Sequence, residues 1–157
     1  MKSILLLCEA YGGGVKTYID AIYKHQQLLD DVQLHVLVSS KRLEPDIKIN
    51  RQYIINDNLS FGKSIVKLVK ALLAIHQVVK QQKITLVHAN STFSGVLMYL
   101  YKTFVNRKLS VIYTPHGYYS FKRMPPMKKR VIQWIEGRLI INVSSLFMFH
   151  TVRKRKL

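Results

Sequence analysis

Acidic side chains are scarce in this chain: 8 Asp and Glu stand against 25 Lys and Arg in 157 residues, a formal net charge of +17. With so few acids, a hydrolase built on paired carboxylates is not expected, and only Glu9 and Glu136 fall near candidate sites. Cysteine is rarer still. The single Cys8 excludes an internal disulfide and fits a reducing compartment. Long apolar runs are missing too. The stretches Gly95–Tyr101 and Leu139–Phe149 fall short of the roughly 18 residues a spanning helix requires. The opening run Ile4–Cys8 is shorter than the roughly 7–15 residues of a signal core, so export is not expected. No Cys, His, Asp and Glu cluster has metal-ligand spacing, so no metal is expected.

What is present is a single-domain length with 48% apolar residues, enough for a sizeable core. The charge is unevenly placed. Residues 1–60 carry 7 basic and 7 acidic side chains, whereas residues 61–157 carry 18 basic ones and one acid, Glu136. Such a field attracts polyanions: nucleic acid, an anionic membrane or phosphorylated small molecules. No helix-turn-helix, zinc module or RNA-binding aromatic motif accompanies it, so no specific nucleic-acid partner is expected.

Short apolar runs alternate with helical patterns. Ile4–Cys8, Leu34–Val38, Gln52–Ile55, Ile84–His88, Leu109–Thr114 and Leu146–Phe149 read as strands. Between them, helical periodicity places Val15, Tyr18, Ile19, Ile22 and Leu29 on one stripe. A second helix, from about Ser60 to Gln82, is expected to carry Ile65, Leu68, Val69, Leu72, His76 and Val79 on one side, with Lys63, Lys67 and Lys70 on another. Further helices are expected over Ser91–Val105 and from Pro126 to about Ile141. Strands separated by helices of this length predict right-handed βαβ units and a doubly wound, Rossmann-like parallel α/β sheet. The domain spans residues 1–150, and residues 151–157 form a basic tail.

In such sheets ligands sit beyond the carboxyl ends of the strands. Three strand ends carry suitable residues: Glu9 through Gly12, Gly13 and Gly14; then Ala89, Asn90 and Ser91; then Pro115, His116 and Gly117. The glycine run is no P-loop, because Val15 precedes Lys16-Thr17. It is a poor dinucleotide fingerprint as well, because Thr17 replaces the third glycine and the second strand ends in Ser39-Ser40 instead of an acid. Glycines opening a helix still offer backbone N–H groups to a diphosphate, although a plain strand–helix turn has the same signature. His116 is the best catalytic candidate, titrating near neutrality in a loop at that end. His88, ending a strand, reads as structural.

Gly12-Gly13-Gly14-Val15-Lys16-Thr17-Tyr18, Leu86-Val87-His88-Ala89-Asn90 and Tyr113-Thr114-Pro115-His116-Gly117, in this order, resemble the N-terminal domain of retaining, family 4 type glycosyltransferases with the GT-B fold, in their bacterial surface-polysaccharide form. Trp134-Ile135-Glu136-Gly137-Arg138 resembles the family's glutamate-bearing helix. The resemblance implies transfer of a sugar from a nucleotide-sugar to an acceptor, often lipid-linked, without a metal. It places the glycine loop at the donor diphosphate and sugar, and His116 beside the transferred sugar. Asn90, Ser91 and Gly117 would line the acceptor crevice. Family members are about twice this length, with a second domain holding most donor contacts. A truncated or split enzyme with little activity alone is therefore expected, or a two-chain enzyme whose donor domain is a separate polypeptide. The competing expectation is a non-catalytic membrane-anchoring partner of such a chain.

Residues 121–135 interleave cations with large apolar side chains. Lys122, Arg123, Lys128, Lys129 and Arg130 would meet anionic headgroups while Phe121, Met127 and Trp134 enter the acyl boundary. The expected location is cytoplasmic, peripheral at the inner face of the cell membrane.

Overall fold

The computed structural model describes residues 2–26, 30–43, 53–59, 64–116 and 125–143. Strand β1 (Lys2–Cys8) leads into helix α1 (Gly13–Gln26), followed by β2 (Val32–Val38), a short 3-10 turn (Ser40–Arg42) and β3 (Tyr53–Ile55). Then come α2 (Ile65–Gln81), β4 (Leu86–Ala89), α3 (Thr92–Phe104), β5 (Ser110–Tyr113) and α4 (Pro126–Val143). All five strands are parallel, in the order β3-β2-β1-β4-β5. The expected doubly wound α/β sheet is what forms. The sixth strand expected at Leu146–Phe149, the basic tail and Leu29 lie outside the described residues.

Each central strand is apolar on both faces because both faces are covered. Alternate residues of β1 and β2 serve opposite layers. Leu6, Cys8, Leu34, Val36 and Val38 pack with Tyr11, Ile19 and Tyr23 beneath α1. Leu5, Leu7 and Leu37 pack with Val87, Val111, Tyr113 and the buried sides of α2 and α3. Leu5 and Leu7 are fully buried, each contributing about 1.5–3 kcal/mol of apolar transfer. Cys8 is also buried, its thiol donating to the Ala10 carbonyl.

The inward face of α2 corrects the expected stripe. Ala71, Ala74, Ile75, Val78 and Val79 are buried, Leu68 and Leu72 are partly buried, and Ile65 and Val69 are exposed. The helix is apolar on two arcs, and the arc that holds Ala71, Ala74, Ile75 and Val78 is the one that packs into the core. His76 turns sideways instead, its Nδ1 lying 3.0 Å from the Tyr101 hydroxyl on α3. Lys67 and Lys70 face water, and Lys63 lies outside the described residues. Strand β4 also begins later than expected, at Leu86, although Thr85 N–H already donates to the Ser3 carbonyl at 2.8 Å.

A candidate active site at the switch point of the sheet

Strand order reverses between β1 and β4, and α1 and α3 leave these two strands on opposite faces of the sheet. The carboxyl ends of β1, β4 and β5 therefore flank one crevice. The three candidate loops all emerge there.

After β1, Tyr11 makes a parallel bridge to Leu43, and α1 begins at Gly13. Gly13 has φ +54°, a left-handed conformation open to glycine at little cost. Gly14 has no such conformational need, yet a Cβ added there meets nothing within 4 Å. The backbone at Gly14 thus borders open space at the helix N-terminus, and the first turn of α1 contains no acid. Gly12 precedes them, its carbonyl accepting from Lys16 N–H at 3.4 Å.

The glycine loop is anchored from behind by a network that periodicity did not reveal. Asp20 accepts hydrogen bonds from the hydroxyls of Tyr11 and Tyr53 and, at 2.8 Å, from Lys16 Nζ. Burial alone would raise the Asp20 carboxyl, but the bonds from Lys16, Tyr11 and Tyr53 outweigh it and hold it below its ordinary value. Burial, reinforced by the bond to Asp20, pushes the Tyr11 hydroxyl far above the usual phenol range. Both hydroxyls stay protonated and donate. The loop, α1 and the edge strand β3 are joined through one carboxylate.

After β4, Asn90 is fully buried and continues the ladder, its N–H donating to the Leu7 carbonyl at 2.8 Å. Its side-chain amide donates to the His88 carbonyl at 2.8 Å, which aims Oδ1 outward. That oxygen lies 3.4 Å from His116 Nε2. Ser91 caps α3, its Oγ accepting from Ser94 N–H at 3.0 Å, so its hydroxyl is engaged in the cap.

After β5, Thr114 N–H donates to the Ala89 carbonyl at 2.9 Å, and its Oγ1 lies 2.8 Å from His88 Nε2. His116 reaches the surface two residues on. Tyr18 of α1 stands edge-on to His116, with ring centroids 4.6 Å apart, and more distantly to His88 at 6.2 Å. Partial burial lowers the His116 imidazole below its ordinary value. Burial, with a smaller effect from His116, lowers His88 to about 4. At neutral pH both rings are uncharged, so His116 can donate or accept a hydrogen bond without bringing a cation to the crevice.

Asn90 and His116 meet directly, Ser91 follows Asn90, and Gly12, Gly13 and Gly14 open α1 at the same end of the sheet. Tyr18, His88 and Thr114 join them, although the sequence reading placed Tyr18 on a core stripe and His88 among structural residues. One signal for Tyr18 was available: it lies four residues after Gly14, one turn along the same helix face. Gly117, Lys122 and Arg123 lie outside the described residues, as does the side chain of Lys128. Lys129, Arg130 and Trp134 are exposed on α4, where the Arg138 guanidinium lies 5.3 Å from the Trp134 ring centroid. Among the described residues, no group of three or more His, Cys, Asp or Glu could hold a metal ion, and no helix is long and apolar enough to cross a membrane.

Comparisons with known proteins carry the same fold and family. The chain is 25% identical over 139 residues to an "Uncharacterized 41.2 kDa protein in cps region" of Klebsiella pneumoniae, an alignment covering 85% of this chain and 36% of that protein. It thus spans about a third of that relative's length. Its structure superposes on sucrose-phosphate synthase from Thermosynechococcus elongatus with a TM-score of 0.68 at 14% identity, over 91% of this chain and 41% of that one. That likeness is one of fold: the parallel sheet with flanking helices is the Rossmann-like domain of a GT-B protein. The family model for Glycosyltransferase Family 4 matches residues 12–151, from the glycine loop to beyond α4, and the chain belongs to that family.

Proposed function

We propose that this domain is the acceptor-side half of a retaining glycosyltransferase that moves a hexosyl group from a nucleotide-sugar to a lipid-linked or polysaccharide acceptor. A donor-binding domain outside these residues, on the same or a separate chain, would supply most nucleotide contacts. One observation supports this reading above the others: the open backbone at Gly14 and the neutral, surface-reaching His116 flank the same sheet switch point.

In the proposed reaction the donor diphosphate lies over Gly12–Gly14, where backbone N–H groups and the positive end of the α1 dipole face it. Substitution at the anomeric carbon breaks its bond to the diphosphate, and the acceptor oxygen takes its place with retention of configuration while its proton passes to the departing diphosphate oxygen. His116 hydrogen-bonds the transferred sugar, Asn90 Oδ1 orients the His116 ring, and Tyr18 walls the crevice. No metal is invoked: the helix dipole and backbone donors stabilise the leaving diphosphate. The cation-rich stretch over residues 122–134 is assigned to the inner membrane face, where a lipid-linked acceptor is presented.

The test is transfer of label from nucleotide-hexoses into a lipid-extractable product, with the donor-binding domain and acceptor membranes present. Incorporation that depends on His116 supports the proposal. Absence of incorporation from every common nucleotide-hexose contradicts it.

A further inference from the structure

The two sides of the sheet differ in what they show to solvent. Among the described residues, every exposed large apolar side chain except Ile55 belongs to α2, the end of α3 or α4, and none belongs to α1. On α2 they are organised. Ile65, Val66, Val69 and Leu73 are 78%, 62%, 47% and 58% exposed. At about 100° per residue they share a single arc, opposite the buried arc of Ala71, Ala74, Ile75 and Val78. Single exposed apolar residues are ordinary, whereas a continuous stripe of four marks a contact surface.

We infer that this outward stripe of α2 is a docking edge that enters an anionic lipid leaflet. The inference rests on the proposal that the domain meets its acceptor at a membrane, and it moves the principal contact from residues 122–134 to α2. Charge complementarity names the occupant. Lys70 borders the stripe and Lys80 continues its line two turns on from Leu73, both exposed. No acid occurs anywhere between Asp57 and Glu136, so every exposed charge on α2 is a cation, with Gln77 and Gln81 the exposed uncharged polar residues of that helix. An aliphatic stripe edged by lysines is the composition of an interfacial helix. A protein partner fits less well, because protein interfaces favour aromatic and Arg anchors and exclude Lys from their centres. A second copy would bring like charges face to face. On α4 of the same layer, exposed Met127 and Trp134 beside Arg130 extend the face.

The test is flotation of the purified chain with vesicles of phosphatidylglycerol and phosphatidylcholine, and with phosphatidylcholine alone. The wild type should float with the anionic vesicles only, and added salt should weaken the binding. Val66→Gln, Val69→Gln and Leu73→Gln together should weaken it about tenfold or more, with an unchanged thermal melt because all three side chains already face water. Lys70→Gln with Lys80→Gln should weaken it while leaving the stripe intact. Wild-type flotation by the triple variant overturns the inference. If, in addition, flotation is lost on combining Arg130→Gln with Trp134→Gln, the membrane proposal stands and the surface is α4. A wild type that floats with neither vesicle overturns both. A wild-type dimer made monomeric by the triple variant, without vesicle binding, assigns the stripe to a second copy and overturns the inference. Transfer to a water-soluble acceptor scores the chemistry separately.

Discussion

Tyr18 and His116, 98 positions apart in the chain, meet ring edge to ring face at 4.6 Å across the mouth of the sheet. The first comes from the helix after the glycine loop, the second from the loop after β5. Their contact joins the two sides of the crevice, where His116 is partly removed from water. Tyr18→Ala should bring the His116 pKa back up toward the ordinary value near 6.5, whereas Tyr18→Phe should leave it depressed. Histidine ring signals followed by NMR through a pH titration read this directly. An unchanged His116 midpoint in Tyr18→Ala would show that the tyrosine does not set its environment.

The two helix-opening glycines should separate folding from function. Gly13→Ala forces a Cβ into φ +54° and should cost about 1–2 kcal/mol in denaturant unfolding. Gly14→Ala meets open space, so stability should hold or rise slightly. A methyl group there would nonetheless fill the space proposed for the donor diphosphate, and transfer should fall by about tenfold or more. Loss of stability in Gly14→Ala, or retention of full activity, would count against that placement.

Acid should destabilise the fold through His88. Its folded pKa of about 4 lies below the ordinary value of 6.5, so between these pH values the unfolded chain binds the extra proton. Stability is therefore fully present above about pH 6.5 and is lost as pH falls toward 4, by a total on the order of 3 kcal/mol for this group. His35, lowered by burial, acts in the same direction. Urea unfolding at several pH values checks the slope, and His88→Gln should make it shallower. An identical slope in that variant would assign the acid sensitivity elsewhere.

The anchor behind the glycine loop is the next target. Asp20→Ala leaves the Tyr11 and Tyr53 hydroxyls without their shared acceptor and should cost about 1–3 kcal/mol. Tyr53→Phe removes only one donor and should cost less. Equal effects from the two variants would mean that Asp20 is not the centre of the network.

How much of this was legible from residues alone follows from which interactions are local. The alternation of apolar runs and helical patterns is local, and the parallel α/β sheet followed from it. The glycine loop, Asn90 and His116 stood out as candidates because strand ends converge in any such sheet. The inward face of α2 was misread because the helix is apolar on two arcs, and side-chain bulk favoured Ile65 and Val69 over Ala71 and Ala74. The arc that faces the core is the one with Ala71, Ala74, Ile75 and Val78. Tyr18 reads as core because it does pack against the core, and its contact with His116 exists only once β5 is in place. The Asp20 network hides for the same reason: Tyr53 lies 33 residues away and meets it only through strand pairing. Ser91 is legible in retrospect, as a serine three residues before Ser94 at a helix start.

Glycosyl transfer is proposed to take place at this switch point, beside His116. Its most direct test is the turnover of the complete enzyme, with its donor-binding domain, for wild type and His116→Ala. The melting curves of the two proteins are compared alongside. His116→Ala is expected to lower turnover by about 100-fold or more while the melting curve is unchanged. Turnover within about twofold of wild type in a folded His116→Ala enzyme would contradict it.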